Sequence, residues 1–246
     1  MIIGSNILFF KDLPSTNSHA ALLLIQNSLA EGTIIHTNYQ SAGKGYAGNK
    51  WESEEGKNLL ISIVLYPSFV KPSDQFCISM AVSLGICDFI GRFIPDCSIK
   101  WPNDIYINND KIAGVLIENT IIADHIEYAI AGIGLNINQE KFTSLAPNPV
   151  SLRQITSKIY DLPACLGELT KDLDIRYKQL IAGNAESVRK EYISKLYRLN
   201  EWSQFKDVNG VFLGRIVTLG EYGTLMIENQ FLEIRGYAFK EVEFIQ

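Results

Sequence analysis

The chain has 246 residues, 47% of them hydrophobic and 20% charged, with a formal net charge of −5. That is enough apolar material for one large unit with a small appendage, and the net acidity excludes the broad basic footprint expected of a nucleic-acid-binding protein. The four cysteines at 77, 87, 97 and 165 lack CxxC spacing and make no metal-ligand pattern with the three histidines, so reduced, buried thiols are expected. The opening MIIGSNILFF is interrupted too soon by Lys11 and Asp12 to be a signal peptide, and no apolar run of about 18 residues follows. A cytoplasmic protein without a membrane or nucleic-acid partner is the resulting expectation.

In chain order, residues 6–11 read as a short strand, and 13–32 as a loop, a capped helix and a glycine stop. Ser15, Thr16 or Asn17 can cap that helix, a structural role worth about 1 kcal/mol; a helix start equally offers free N–H groups to a ligand. A strand over 33–38 leads into a segment, 39–58, whose Gly43, Gly45, Gly48 and Gly56 predict an irregular, flexible loop. The Gly-x-Gly-x-x-Gly string at 43–48 is not followed by a helical pattern, so it is a weak dinucleotide signal. Residues 59–66 alternate as a strand, and 73–93 read as an amphipathic helix with Phe76, Met80, Leu84, Cys87 and Ile90 along one stripe.

The stretch from Ser98 to Asn138 sets polar groups among apolar strands. Ile105 and Ile107, then Ile112, Val115 and Ile117, then Ile126, Tyr128 and residues 130–137 predict three segments of an antiparallel meander. Asn108, Asn109 and Asp110 suit a tight hairpin turn, and Pro102 makes Trp101 extended. Lys100, Asn103 and Asp104 precede the first segment, Lys111 opens the second, and Gly132, Gly134 and Asn136 close the third. Residues 138–155 form a polar, proline-broken loop, and 162–181 and 187–197 are helical by period. From about 199–207 onward, short segments separated by turns predict a small β-barrel, dividing the chain into 1–200 and 205–246.

The run Lys100-Trp101-Pro102-Asn103-Asp104, the Lys111-x-Ala-Gly114 that follows and Gly132-x-Gly134-x-Asn136 together resemble the biotin protein ligases. The resemblance spans essentially the whole chain. It implies an α+β fold, a mixed or antiparallel sheet packed by helices as in class II synthetases, with a C-terminal SH3-like barrel. It also implies a chemistry: biotin and ATP, with Mg²⁺, become biotinyl-5′-AMP, and biotin passes to a lysine of a carboxylase's biotin carboxyl carrier domain.

By that resemblance Ser15, Thr16, Asn17 and Gln40 contact biotin. Gly43, Lys44, Gly45 and Tyr46 close over it, while Gly114, Gly132 and Gly134 allow close approach of the ligand. Lys44, Trp51, Lys100, Asn103, Asp104 and Asn136 face ATP or the adenylate, and Asn136 or Asp104 ligates Mg²⁺. Lys111, Asp104 and Lys44 are the catalytic candidates, because joining two anions requires cations at the developing charge; Lys111 is counted with the biotin contacts as well. The chain departs from the family pattern at Tyr46, Ala47 and Asn49, where the family carries arginines. Simple hairpin geometry leaves Lys111 at the turn end, away from Asp104, so a bend or a long side-chain reach is required. The Ser-Thr-Asn run at residue 15 leaves no room ahead for the family's helix-turn-helix domain. The ligase reading is compatible with a homodimer; alternatives are a lipoate or octanoate ligase of the same fold and a biotin-sensing DNA-binding regulator.

Overall fold

Alternation along the central strands decides how the layers stack. The structure, a computed structural model, describes residues 1–26, 29–45, 48–143 and 148–245. Strands β1 (Ile7–Leu13), β2 (Ile34–Gln40), β3 (Leu59–Leu65), β4 (Cys97–Lys100), β5 (Asp104–Ile107), β6 (Asp110–Ile122) and β7 (His125–Leu135) form one sheet. Its order is β1-β2-β3-β7-β6-β5-β4. Only β1 and β2 are parallel, bridged by α1 (Thr16–Gln26); every other pair is antiparallel. Among the described residues the α-helices of the larger unit are α1, α2 (Phe76–Gly91), α3 (Leu152–Thr156), α4 (Leu162–Ile181) and α5 (Ala185–Ser194).

Successive side chains of a strand face opposite sides, and β7 shows what that separates. Ala129, Ala131, Ile133 and Leu135 enter the main core with α2, α4 and α5, whereas Ile130 packs with Leu13, Ala20, Ile35 and Val64 beneath α1. Helix α1 is short, and the sheet face that it leaves uncovered carries Gly132 and Gly134. Helix α2 is buried all round except at Asp88 and Gly91, so the single stripe expected from its sequence is too narrow a description. It is wedged between sheet and helices. A Cβ on Gly85 would stand 3.1 Å from Leu173 Cα, so glycine there permits the close approach of α4. Pro72–Gly91 is long and apolar enough to cross a membrane by length and composition, but 78% of that window is buried inside the protein, as befits a core helix.

Strands β8 (Trp202–Asp207), β9 (Gly210–Leu219), β10 (Leu225–Asn229), β11 (Ile234–Tyr237) and β12 (Glu243–Phe244) build a second antiparallel sheet, ordered β11-β10-β9-β8-β12. It shares the main core through Phe205, Ile216 and Leu225. Trp101 Nε1 donates to the Gly223 carbonyl at 2.9 Å, and Arg189 Nη2 donates to Leu219 and Gly220 carbonyls at 2.6 and 3.1 Å.

The central meander forms as its sequence indicates. Residues Asn108 and Asn109 turn β5 into β6, with Asn108 at φ +53°, in the left-handed region that asparagine tolerates. Two elements lie where none was expected. Strand β4 precedes the cis Trp101–Pro102 bond, and α3 begins at a capping box in which Ser151 Oγ accepts from Gln154 N and Gln154 Oε1 accepts from Ser151 N. The glycine segment is also more ordered than its composition suggests. Gly45 N donates to the Asn49 carbonyl at 2.7 Å and Trp51 N to the Gly43 carbonyl at 3.0 Å, so residues on its two sides pair and Trp51 folds back.

Candidate active site

A cleft of about 200 Å³ opens on the uncovered face of the large sheet. Its walls come from the start of α1, the end of β2, the glycine segment, the β4–β5 turn and strands β6 and β7. It gathers Ser15, Thr16, Asn17, Gln40, Lys44, Gly45, Trp51, Asn103, Asp104, Lys111, Gly114, Gly132 and Gly134, most of the residues singled out from the sequence. Asn49, Lys50, Val115 and Leu116 line it too, without having been singled out as ligand contacts.

One end is a polar network. Thr16 donates to Gln40 Oε1 from its backbone N at 2.7 Å and from its hydroxyl at 3.1 Å. Ser62, fully buried on β3, has its hydroxyl 2.7 Å from Thr16 Oγ1 and 2.6 Å from Asn17 Oδ1. Asn17 Nδ2 donates to the Leu116 carbonyl at 3.2 Å and to Glu118 Oε2 at 2.6 Å. Lys44 Nζ lies 3.9 Å from the other Glu118 oxygen, both side chains being nearly half exposed. Ser15 stands just before α1 with its hydroxyl 3.5 Å from Ser18 N, a loose cap at best.

The other end holds a tight ion pair. Lys111 Nζ is 2.6 Å from Asp104 Oδ1, with both side chains about three-quarters buried. Their meeting has a backbone cause. Asp104 pairs with Gly114 and Ile105 with Ala113, but Tyr106 pairs with Lys111, so Ile112 is an extra residue on β6 and the strand bulges there. A bulge bends its strand and re-aims nearby side chains, which supplies the bend that plain hairpin geometry lacks. The Trp51 ring lies 5.6 Å from Lys111 Nζ, within cation–π range.

The glycines of β6 and β7 accommodate protein side chains. A Cβ on Gly134 would stand 2.3 Å from the Trp51 ring, and one on Gly132 would stand 2.3 Å from Asn17 Oδ1. At Gly114 it would meet Trp51 at 3.0 Å and the Lys111 side chain at 3.3 Å. Gly43 is not among the residues that line the cleft, and a Cβ there would be 2.7 Å from the Trp51 carbonyl oxygen. Asn103 is partly committed, since its Nδ2 donates to the Val115 carbonyl and its own carbonyl accepts from Val115 N at 2.9 Å.

Two expected nucleotide contacts lie outside the cleft. Lys100 Nζ is 3.3 Å from the Tyr106 hydroxyl and 5.1 Å from the Phe244 ring, directed toward the second sheet. Burial lowers its pKa, Asp104 opposes that shift and Lys111 adds to it. Burial likewise raises the Tyr106 phenol, helped by Asp104. Asn136 is 2% exposed and donates to the Val150 carbonyl at 3.1 Å, while its Oδ1 is buried with no hydrogen-bond partner. Of the two expected Mg²⁺ ligands, Asn136 keeps this oxygen outside the cleft lining and Asp104 Oδ1 is paired with Lys111; among the described residues no three His, Cys, Asp or Glu side chains converge as metal ligands. Tyr46 and Ala47 lie outside the described residues.

Glu118 and Ser62 are the functional candidates that sequence reasoning missed. Strand period was the available signal for Glu118, which stands two and four residues beyond Leu116 and Gly114 on one face of β6. No comparable signal marked Ser62 within the apolar run of β3.

Residues 9–136 match the family described as Biotin/lipoate A/B protein ligase. The chain is 28% identical over 235 residues to the bifunctional ligase/repressor BirA of Bacillus spizizenii, covering 93% of this chain and 71% of that protein. It is 24% identical over 169 residues to the biotin--[acetyl-CoA-carboxylase] ligase of Mycobacterium tuberculosis, 67% of this chain and 61% of the relative. The biotin protein ligase of Aquifex aeolicus, solved with biotin and ATP, superposes with a TM-score of 0.81 at 25% identity, over 98% of this chain and 99% of that one. A family match over more than half the chain, on the strands that frame the cleft, makes this protein a member of the biotin/lipoate A/B protein ligase family.

Proposed function

We propose that the protein activates biotin as biotinyl-5′-AMP with Mg-ATP and transfers the biotinyl group to one lysine of a biotin carboxyl carrier domain. The observation that carries this reading is the Lys111–Asp104 pair, 2.6 Å apart on the rim of a glycine-floored cleft whose far end is polar. Biotin has a matching division, with a ureido ring at one end and a reactive carboxylate at the other. The polar end also favours biotin over lipoate, since a ureido group offers two N–H donors and a carbonyl to Thr16, Asn17 and Gln40, whereas a dithiolane ring offers none.

In the first step a carboxylate oxygen of biotin bonds to the α-phosphorus of ATP, and the bond to the bridging oxygen breaks as pyrophosphate leaves. The reactants are both anionic, so the step needs positive charge fixed in place beforehand. Lys111 supplies it, held by Asp104, and Lys44 adds a second cation from the glycine segment. In the second step the carrier lysine's amine attacks the acyl carbon, AMP departs, and Asp104 is the carboxylate at hand to take the released proton. The protein's own donors do not fit a resident Mg²⁺, since Asp104 Oδ1 is engaged by Lys111 and the unpartnered Asn136 Oδ1 is buried outside the cleft lining. Mg²⁺ usually binds through few carboxylates plus substrate phosphates, so it belongs here to the ATP. The same reading assigns the ligand chemistry to residues 1–200 and gives 205–246 a supporting and docking role.

Mass spectrometry of a carrier domain incubated with biotin, ATP and this protein tests the reading. One biotinyl adduct on one lysine is expected. An adduct with lipoate and none with biotin would replace biotin as the substrate.

A further inference from the structure

The Glu118 carboxylate is not needed for the charge chemistry above, yet it touches two segments of the cleft that belong to different parts of the chain. Its Oε2 accepts from Asn17 Nδ2 at 2.6 Å, and its Oε1 faces Lys44 Nζ at 3.9 Å. The longer contact is weak, since half-exposed pairs at such separation contribute little. The shorter one has structural force. An asparagine amide carries two N–H donors and one carbonyl acceptor. Here Nδ2 meets two groups that only accept, the Leu116 carbonyl and Glu118 Oε2, while Oδ1 faces the Ser62 hydroxyl at 2.6 Å. The amide is thereby fixed in one orientation, although the alternative orientation has the same shape. Asn17 is 3% exposed, and Gly132 opposite it leaves just the space that its Oδ1 occupies.

We infer that Glu118 is a positioning residue, which sets Asn17 to present an acceptor to the ring N–H groups of biotin. The inference rests on the biotin reading above and adds to it a specificity determinant outside the Ser15-Thr16-Asn17 run. Without an acceptor at 118, an N–H of Asn17 is released and the amide can turn, setting donor against donor at the ureido ring. The cost should fall on ground-state binding, not on the chemical step, because the ring lies at the opposite end of biotin from the reacting carboxylate.

Calorimetric titration with biotin in the absence of ATP, together with steady-state adenylate formation, tests this. Glu118→Ala should weaken biotin binding roughly tenfold or more, the scale set by a charge-assisted hydrogen bond, and raise KM for biotin with kcat at saturation little changed. Glu118→Gln should restore most of that affinity, because its amide oxygen still accepts from Asn17 Nδ2. Glu118→Met, of similar size and with only the weak acceptor of a thioether, should bind nearly as poorly as the alanine variant, and it serves if the latter fails to fold. Wild-type affinity in both the alanine and methionine variants would overturn the inference. So would a glutamine variant as impaired as alanine, or a loss confined to kcat. Wild-type protein that binds lipoate and not biotin would instead overturn the functional reading on which this one rests.

Discussion

The two faces of strand β7 do different work with alternate residues of one short sequence. Toward α2, Ala129, Ala131, Ile133 and Leu135 fill the core; toward the cleft, Gly132 and Gly134 are bare so that Asn17 and Trp51 can lie against the backbone. The strand is held on both sides by β3 and β6, so neither face can shift without the other. Stability and ligand chemistry are thus separated by a single peptide unit, and substitutions on one face should leave the property of the other largely intact.

The largest effect is expected on the cleft side. Lys111→Ala removes the cation proposed to face the developing phosphate charge, where loss of a single stabilising donor costs about a hundred- to a thousandfold in rate. Pyrophosphate release should fall by that factor, while melting shifts by no more than about 2 to 4 °C, the size expected for ~1 kcal/mol in a chain of this length. On the core side, Leu135→Ala should cost about 2 to 5 kcal/mol of unfolding free energy, as buried leucines do, with adenylate formation per folded molecule near wild type. Denaturant titration beside the activity assay measures both.

Gly134→Val is a sharper probe, since its added carbons would collide with the Trp51 ring. Overpacking of about 1 to 3 kcal/mol must be relieved by displacing Trp51, so the loss should appear in ATP and biotin binding more than in stability. If it appears in stability alone, the separation between the two faces fails at this residue.

The smallest effect concerns His36 on β2, whose Nε2 is buried without a partner and whose pKa burial lowers. A base with a depressed folded pKa binds fewer protons folded than unfolded. Its contribution is therefore constant above its ordinary value of 6.5 and turns destabilising as pH falls from there through the folded value. Stability should drop over that acidic window, and His36→Gln should flatten the drop without altering activity at neutral pH.

What the sequence revealed follows from how local each cause is. The β5–β7 meander was legible because isoleucines recur with strand period and Asn108-Asn109 is a short-range turn signal. The convergence of Lys111 with Asp104 was not, because one extra residue at Ile112 sets it and a bulge leaves no mark in composition. Lys100 belongs to the same run as Asp104 and was grouped with it, yet its amine turns to Tyr106 and Phe244, a contact that depends on where the second sheet docks. Helix α3 has a sequence signal of its own, since Ser151 and Gln154 stand at capping-box spacing, though within a stretch whose prolines read as loop. Ser62 has no comparable sequence signal, since its partners are 46 and 45 residues away.

The central claim is that this cleft joins biotin to AMP, and isotope exchange between pyrophosphate and ATP without any carrier domain tests it most directly. Exchange should require biotin, fail with lipoate or octanoate, and fall by about a hundredfold or more in Lys111→Ala. Exchange that proceeds equally with lipoate, or that the Lys111 variant leaves at the wild-type rate, would contradict the account.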